Sequence, residues 1–310
     1  MYSNRIMKKY SILLVVITTA VATTESFAQG FLQTEYMTSS AFRNEEGERV
    51  KFGSGDLLKV TGRYNIPLSV KQNDSGQPVV WTATVSGAYG ILDNSGDATD
   101  FNPDKILNAG INLSHVRPIS EKWSMVATLG GGIYSEPNAI SFNSILINGG
   151  VIFLYRIRPN FDIGIGAGLT NAYGLPVIMP MVAVSWRLSG KYEVKADVAG
   201  GLEISGAMRL NDRFKLRLIA MEMDGMSAVM KVNGESMIYA TAIMKSWVSA
   251  EYRTGRTSAF YLGAGSSWMR SATLSKRSLK DFFRNLFDDK NEELGFSGAG
   301  YFTIGFKYGF

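Results

Sequence analysis

The last ten residues of the chain, Tyr301-Phe302-Thr303-Ile304-Gly305-Phe306-Lys307-Tyr308-Gly309-Phe310, decide the fold. Every even-numbered position in this stretch carries a large apolar or aromatic side chain. The odd-numbered positions carry mostly small, polar or charged side chains. Successive side chains of a β-strand point to opposite faces, so a period of two residues predicts a strand with one apolar face and one mixed face.

The spacing of four residues within this stretch points to a cellular compartment. Thr303, Gly305, Tyr308 and Phe310 match the pattern polar-x-Gly-x-x-aromatic-x-aromatic. This pattern resembles the signal that the barrel-assembly machinery reads when it inserts a Gram-negative outer-membrane β-barrel. The resemblance implies that this machinery is a partner during insertion and that the lipid bilayer of the outer membrane surrounds the folded protein.

The amino-terminal region is typical of an exported protein. Three cations precede an apolar segment over residues 12–21, which is too short to span a bilayer as a helix. A small-x-small site then ends at Ala28, directly before Gln29. The pattern predicts a signal peptide over residues 1–28 and a mature barrel domain over residues 29–310. An uncleaved membrane anchor is the alternative.

The composition excludes several classes of function. The formal net charge is +5, and the predicted signal peptide holds three positive residues and one negative residue, which leaves the mature chain at about +3. No basic run with interleaved aromatic residues suggests nucleic acid as a partner. Cysteine is absent, which excludes disulfides and thiolate metal sites. The mean hydropathy of +0.01 fits a barrel whose polar lumen balances its apolar belt.

The terminal alternation recurs along the whole mature chain. One example is the segment over residues 192–198, in which Tyr192, Val194 and Ala196 alternate with charged residues. A single repeated design predicts one domain, an all-β transmembrane antiparallel up-and-down β-barrel. Closure into a barrel removes the sheet edges, whose unpaired backbone groups a bilayer cannot satisfy.

The strand count follows from the lengths of the connections. Outer-membrane barrels place short turns on the periplasmic side and longer loops outside. The longer connections are predicted over residues 93–104, 135–146, 224–236 and 271–298. All short turns fall on one side only if residues 199–201 form a hairpin tip and residues 31–37 form a first strand. This reading predicts about fourteen strands, and merging residues 192–210 into one strand and dropping the first strand predicts twelve.

Charged side chains on the inward face are the candidate functional residues, and they are predicted to line the lumen. A paired arrangement would satisfy them as ion pairs, whereas an unpaired cationic surface would attract anions. The candidates are Lys59, Arg63, Arg156, Arg158, Glu193, Lys195, Asp197, Glu203, Arg209, Lys215, Arg217, Lys245, Glu251 and Arg253. A carboxylate-based hydrolase is a third interpretation of the inward acids.

Other candidate chemistry is weak. The one histidine, His115, has outward parity, so it is predicted at the membrane interface and not in a Ser–His–acid triad. The glycines of residues 130–132 and 164–168 lack the helix and the Lys-Ser/Thr of a phosphate loop. No cofactor and no metal site are therefore predicted.

Two segments could shape the outer mouth of the barrel. Residues 278–294 carry apolar side chains at helical spacing, which predicts a short amphipathic helix in the last outer loop. This helix could pack over the rim, lie on the membrane, plug the mouth or bind a partner. Met221, Met223, Met226 and Met230 surround another predicted outer loop, either as ordinary packing or as an adaptable apolar surface.

A narrower resemblance concerns the family. The opening over residues 31–37, the stretch over residues 190–213 and the barrel length look similar to an uncharacterised Bacteroidota family of outer-membrane barrels. That family has no assigned substrate or catalytic residues, so the resemblance implies no site residues.

Three functions remain open from the sequence. The first is a channel or porin-like barrel for small polar or anionic solutes. The second is a plugged barrel that anchors a partner or stabilises the envelope without transport. The third is an outer-membrane hydrolase. The solute, the pore radius and the oligomeric state are not encoded in any motif.

Overall fold

The protein was studied as a computed structural model, which describes residues 29–43, 49–171, 177–198, 202–232, 234–278 and 293–309. In these ranges the chain forms the strands β1 (Gln29–Arg43), β2 (Arg49–Gln72), β3 (Pro78–Ile91), β4 (Asn94–Ser95), β5 (Lys105–Pro118), β6 (Trp123–Ser135), β7 (Ile145–Arg158), β8 (Phe161–Thr170), β9 (Val177–Leu188), β10 (Tyr192–Asp197), β11 (Glu203–Arg209), β12 (Phe214–Asp224), β13 (Ser227–Val232), β14 (Glu235–Arg253), β15 (Ser258–Lys276), β16 (Glu293–Phe296) and β17 (Ala299–Tyr308).

Within the described ranges, fourteen of these strands form one closed antiparallel barrel. Each pairs with its neighbours in chain order, and β17 pairs with β1 from Gly30 opposite Tyr308 to Met37 opposite Tyr301. The strands β4, β13 and β16 are short extensions at one end. The prediction of fourteen strands is confirmed and the alternative of twelve is wrong, because β10 and β11 pair as a hairpin from Tyr192 opposite Met208 to Asp197 opposite Glu203.

Six short connections lie at the same end of the barrel, which we call the turn end. They span residues 73–77, 119–122, 159–160, 189–191, 210–213 and 254–257. In the first of them the side-chain oxygen of Asn73 accepts hydrogen bonds from the backbone N–H groups of Ser75 and Gln77, and Gly76 has a φ of 74°. Glycine adopts this left-handed conformation without steric cost, which makes the turn tight.

Longer connections lie at the opposite end, the outer end. They include the helix α1 (Ala98–Phe101) and two 3-10 turns, Pro137–Ala139 and Phe142–Ser144. The amphipathic helix predicted over residues 278–294 falls mostly on residues 279–292, outside the described residues, and its last two residues belong to β16. In the described part of the chain, no helix combines the length and apolar character needed to cross a membrane.

Apolar side chains cover the outward face of the barrel. Trp81, Trp123, Trp186, Tyr252 and Tyr308 all point outward close to the turn end, and smaller apolar residues fill the outward positions above them. An apolar band with an aromatic girdle is the surface that a bilayer covers. The chain is therefore a transmembrane β-barrel, as the alternation predicts.

One hairpin packs into the lumen, although its strand β14 stays paired with β15 from Arg253 opposite Ala259 to Met237 opposite Lys276. The register with β14 shifts twice at nearly the same level: β12 has an extra residue between Ile219 and Glu222, and β15 has one between Ser267 and Met269, while β14 itself runs without a bulge. Bulges bend strands. Above these bulges, residues 222–244, which we call the inner hairpin, turn into the lumen.

The inner hairpin differs from the prediction for this region. Residues 224–236 were expected as an outer loop, yet residues 227–232 form β13 and pair with β14. Met226, Ala228 and Ile243 are completely or almost completely buried, in a core that includes residues of β1, β2, β5 and β17. These apolar residues have no membrane to face, so burial against the opposite wall is what keeps them out of water.

Candidate functional site: the lumen and the inner hairpin

The wall of the lumen near the turn end carries ion pairs between strands that are neighbours or, for Lys215 and Glu193, separated by one strand. Most of the acids and bases involved were predicted to face inward. The pairs are Lys195–Glu203 at 2.7 Å, Lys215–Glu193 at 2.8 Å, Arg209–Glu193 at 3.3 Å, Arg187–Asp197 at 3.5 Å and Arg217–Glu203. We call this set the ionic ladder. The Lys195 and Arg209 side chains are 39% and 42% exposed, so water reaches this part of the lumen.

A second group of charges is buried higher in the lumen, where the inner hairpin begins. Lys59 on β2 lies 2.7 Å from Glu35 on β1 and 2.6 Å from Asp224 on β12. Lys245 on β14 contacts Glu35, lies 2.9 Å from Asp224 and is 3.5 Å from Glu222. We call these five residues the central cluster. The side chains of Lys245, Lys59 and Glu35 are at most 4% exposed.

The central cluster joins strands that are not neighbours. Along the barrel wall, β12 and β2 are separated by β14, β15, β17 and β1. The ion pair between Asp224 and Lys59 therefore spans part of the lumen and does not follow the wall. At this level side-chain contacts connect strands that lie apart in the barrel wall.

Aromatic side chains support the acids of the central cluster. Tyr301 donates a hydrogen bond of 2.7 Å to Glu35, and the indole N–H of Trp247 donates one of 2.8 Å to Glu222. Buried charges are tolerated when they are paired and hydrogen-bonded on several sides. The inward position of Trp247, which breaks the outward pattern of the other tryptophans, is explained by this contact.

The inner hairpin is held at its far end by the opposite wall. The amide of Asn108 on β5 donates a 2.5 Å hydrogen bond to the carbonyl of Ser227 and accepts one of 3.2 Å from the Ser227 N–H. Tyr239 donates a 2.6 Å hydrogen bond to Asn102. Val229 lies beside Ser135 on β6. The hairpin thus crosses the outer part of the lumen from β12 and β14 to β5 and β6.

The wall opposite the ionic ladder carries a row of uncharged polar side chains. The strand register places Asn65, Thr84, Asn112, Asn148 and Thr170 in one row across β2, β3, β5, β7 and β8, with Gly130 completing the row on β6. We call this the amide row. A Cβ atom on Gly130 would lie 1.8 Å from Oδ1 of Asn112, so only glycine leaves room for that amide.

The remaining predicted residues occupy separate positions. Arg63 on β2 is half-buried and makes no ion pair or hydrogen bond with the described part of the chain. Arg156 pairs with Asp162 at 3.4 Å, and Glu251 pairs with Lys307 at 2.5 Å. Arg158 and Arg253 lie at the turn end of their strands. These residues do not join the central cluster or the ionic ladder.

Three acids of the central cluster were not among the predicted residues. Glu35 lies in the first strand, which was predicted over residues 31–37. Its alternation with Tyr36 could have placed it on the inward face. Glu222 and Asp224 lie next to the predicted outer loop, and the bulge at residues 219–222 changes their parity. No pattern of alternation across that bulge could have assigned them.

The predicted insertion motif lies in the closing strand. Thr303 faces inward and donates a hydrogen bond of 3.1 Å to the carbonyl of Thr34 on β1. Gly305 lies under the ring of Tyr261, which a Cβ atom would approach to 2.3 Å. Tyr308 faces outward, and Phe310 lies outside the described residues.

The described residues offer little for catalysis or metal binding. His115 stacks on the outward-facing Trp81 with ring centroids 4.1 Å apart, as its parity predicts. The chain has no other histidine. In the described ranges, no three His, Cys, Asp or Glu side chains are grouped so that they could hold a metal ion.

Solved structures similar to this chain are distant from it. An outer-membrane channel from Pseudomonas putida F1 has a TM-score of 0.46 and 10% identity over 94% of this chain and 100% of the channel. The NanC porin has a TM-score of 0.31 and 7% identity over 91% and 100% of the two chains. The outer-membrane protease OmpT from Escherichia coli has a TM-score of 0.25 and 10% identity over 94% and 100%. The fold described above rests on the strand pairing of this chain and not on these similarities.

Two further comparisons concern sequence. No curated protein matches the chain. A family model described as a domain of unknown function, DUF6268, matches residues 24–309. Because this match covers nearly the whole chain, the protein belongs to the DUF6268 family.

Proposed function

We propose that the protein is an outer-membrane channel for small polar solutes, with the inner hairpin as its gate. In the described conformation the gate is closed. Opening would require residues 222–244 to leave the opposite wall while the barrel itself stays intact. The bulge on β12 and the bulge on β15, which flank β14 at nearly the same level, supply a place where the sheet that carries the hairpin can bend.

The observation that carries this proposal is the contrast along the axis of the lumen. Near the turn end, charged side chains of the ionic ladder reach water. Farther out, the central cluster and the inner hairpin cross the lumen and contact the opposite wall. A water-accessible polar vestibule that ends at a hairpin held by a few hydrogen bonds is suited to gated passage.

The proposed solutes are small, polar and neutral or anionic. Most inward cations are neutralised by acids in the ionic ladder and the central cluster, which weakens the anion preference that the cations alone would give. Arg63 remains without an acid partner among the described residues. A cation on an otherwise uncharged wall raises the local concentration of anions.

Export and membrane insertion belong to the same proposal. We propose that residues 1–28 direct the chain to the outer membrane and that the barrel-assembly machinery recognises the closing strand through Thr303, Gly305, Tyr308 and Phe310. The outward apolar band supports a bilayer as the final environment. Membership of a Bacteroidota branch stays a prediction from the sequence.

Conductance in a planar bilayer tests the proposal. In the test variant an Asn-Gly turn replaces residues 226–239, which removes the part of the inner hairpin that reaches β5 and β6. We expect steady conductance from this variant and rare openings from the parent protein. A second variant lacking residues 279–292 serves as the control and should behave like the parent.

A plugged, non-transporting barrel is the second candidate. The buried core between the inner hairpin and the opposite wall favours it, because a permanent plug would be packed in the same way. Silence of the hairpin variant, despite a correctly folded barrel, would reject the channel and leave this candidate. Conductance that appears only in the variant lacking residues 279–292 would move the gate to that segment.

A further inference from the structure

Among the described residues, no strand occupies the outer part of the barrel wall between β9 and β12, which leaves a gap there. The strands between them are short, since β10 (Tyr192–Asp197) and β11 (Glu203–Arg209) end well before the strands around them. β9 pairs with β10 only through residues 185–188, and one more hydrogen bond runs from the Val198 N–H to the Val184 carbonyl. No described strand pairs with residues 177–183 on that side. We call this gap the wall notch.

The sequence of β9 agrees with an open edge. Pro180 lies in the middle of the part of β9 that borders the wall notch, opposite Ala167 of β8. Proline has no backbone N–H to donate, and in sheets it is confined to edge strands, strand starts and bulges. Ile178 and Val182, the nearest residues on the same face of β9 as Pro180, point outward and are 74% and 63% exposed.

The wall notch lies at the depth of the hydrocarbon core. Trp186 belongs to the aromatic girdle near the turn end, and Ile178 is eight residues farther along β9. A strand rises about 3.3 Å per residue and tilts by about 40°, so Ile178 lies roughly 20 Å above the girdle, within an apolar band about 25 Å tall. A sheet edge at this depth costs free energy unless protein or a ligand covers it.

The sides of the wall notch are apolar and rich in methionine. On β9, Met179 and Met181 point into the lumen and are almost completely buried. On β12, Met221 and Met223 lie beside the end of β11, where the Met223 N–H donates a hydrogen bond of 2.9 Å to the carbonyl of Leu202. Methionine side chains are flexible and polarizable, so they adapt to apolar ligands of different shape.

The interior behind the wall notch changes from apolar to charged along the axis. At the outer end, Val177 and Met179 pack against Val229 and Ile238 of the inner hairpin. Lower down, Met181 packs with Ile152 and other apolar residues. Below them, Asp197 and Glu203 of the ionic ladder lie directly opposite each other on the last paired residues of β10 and β11.

We propose that the wall notch binds the alkyl chain of a single-chain amphiphile, whose polar headgroup lies in the lumen over the ionic ladder. The alkyl chain covers the edge of β9, and the methionines on both sides pack around it. The lumen then opens to the bilayer through the wall as well as to water through its ends. The edge of β9 defines this site whatever the position of the inner hairpin, although Val177 and Met179 contact that hairpin.

Single-cysteine labelling tests the site, because the chain has no native cysteine. The test variant is Met181→Cys, and the matched control is Val126→Cys. Val126 also faces the lumen, is similarly buried and lies in the same row of paired residues, but its strand β6 is fully paired on both sides. Each variant is reconstituted in lipid vesicles and reacted with a long-chain alkyl maleimide or with a water-soluble maleimide.

We expect the alkyl maleimide to label the Met181→Cys variant at least tenfold faster than the Val126→Cys variant, with no such difference for the water-soluble reagent. A medium-chain fatty acid should slow the reaction of the Met181→Cys variant, and acetate should not. Both variants must keep the circular dichroism spectrum of the parent barrel.

Three results would overturn the proposal. Equal labelling of the two variants by the alkyl maleimide would mean that the wall is closed to the bilayer. Labelling of the Met181→Cys variant that appears only after deletion of residues 279–292 would show that this segment of the chain covers the wall notch. Faster labelling without protection by the fatty acid would show an opening that holds no amphiphile. Each of these results is compatible with gating by the inner hairpin, so the two proposals fail separately.

Discussion

The two halves of the lumen use the same residue types in opposite ways. In the turn-end half, the charges of the ionic ladder pair along the wall, between strands at most two positions apart, and several stay accessible to water. In the outer half, the charges of the central cluster pair across strands that are far apart in the barrel and are almost completely buried. The first arrangement lines the wall of the lumen, and the second connects parts of the wall that lie far apart.

Because of this difference, similar ion pairs contribute differently to the stability of the protein. An exposed pair contributes about 0–1 kcal/mol, because water solvates both charges when they separate. A buried pair contributes little in total, but removal of one partner leaves a buried charge without compensation. The outer half should therefore be sensitive to single substitutions that the turn-end half tolerates.

The largest expected effect comes from Lys245→Met. This change leaves Glu35 and Asp224 with Lys59 as their nearest cation, and we expect the free energy of unfolding to fall by about 3–5 kcal/mol. The matched change Lys195→Met in the ionic ladder should cost at most about 1 kcal/mol. Urea unfolding of both variants in the same lipid measures the difference.

Equal losses in these two variants would contradict the comparison between the halves. A loss in the Lys195→Met variant alone would reverse it. The far-ultraviolet circular dichroism of each variant before unfolding shows whether the strand content of the barrel is intact, so that a failure of insertion is not mistaken for a loss of stability.

An intermediate effect is expected from Asn108→Ala, which removes both hydrogen bonds to the backbone of Ser227. The loss of about 1–2 kcal/mol from the closed state should raise the open probability of the channel by roughly 5- to 30-fold. Single-channel recording measures this quantity directly.

Asn112→Ala is the control for that change. Asn112 faces inward on the same strand, four residues after Asn108. Its side-chain oxygen has no hydrogen-bond partner in the described structure. Its substitution should leave the open probability unchanged. A similar increase in both variants would show that the amide row and not the contact with Ser227 holds the channel closed.

The smallest expected effect concerns ion selectivity. Arg63→Gln removes a cation without an acid partner among the described residues, whereas Arg209→Gln removes one that is paired with Glu193. In the variant with the shortened hairpin, Arg63→Gln should lower the anion-to-cation permeability ratio by about twofold, which is the order of one partly screened charge. Reversal potentials in a salt gradient measure the ratio.

Arg209→Gln tests the same point from the other side. It removes one of the two cations that pair with Glu193, while Lys215 still pairs with that carboxylate at 2.8 Å. Its effect on the permeability ratio should be smaller than that of Arg63→Gln. The opposite order would mean that the ionic ladder and not the uncharged wall sets the selectivity.

The barrel wall could be predicted from the sequence, and the content of the lumen could not. Alternation identifies the wall because every wall strand meets the same two environments, lipid outside and lumen inside. The turn-length argument also placed the hairpin of β10 and β11 correctly. The inner hairpin meets protein on both faces, so the consecutive buried residues Ala242, Ile243 and Met244 have no period that marks their environment.

The central cluster was predictable only in part. The inward parity of Lys59 and Lys245 follows from long, regular strands. Asp224 lies beyond a bulge, and its contact with Lys59 depends on how far the inner hairpin bends into the lumen. A bulge changes which face each later residue occupies, and the sequence carries no clear signal for its position. The wall notch depends in the same way on strand lengths at β10 and β11.

A reversible cross-link between the inner hairpin and the opposite wall tests the central claim most directly. The double variant Asn108→Cys/Ser227→Cys places two thiols where the hairpin contacts β5, in a chain that has no other cysteine. We predict frequent openings when this variant is reduced, because the contact of Asn108 with Ser227 is lost, and silence when it is oxidised. The same current in both states, with the disulfide confirmed by mass spectrometry, would contradict the claim that this hairpin closes the channel.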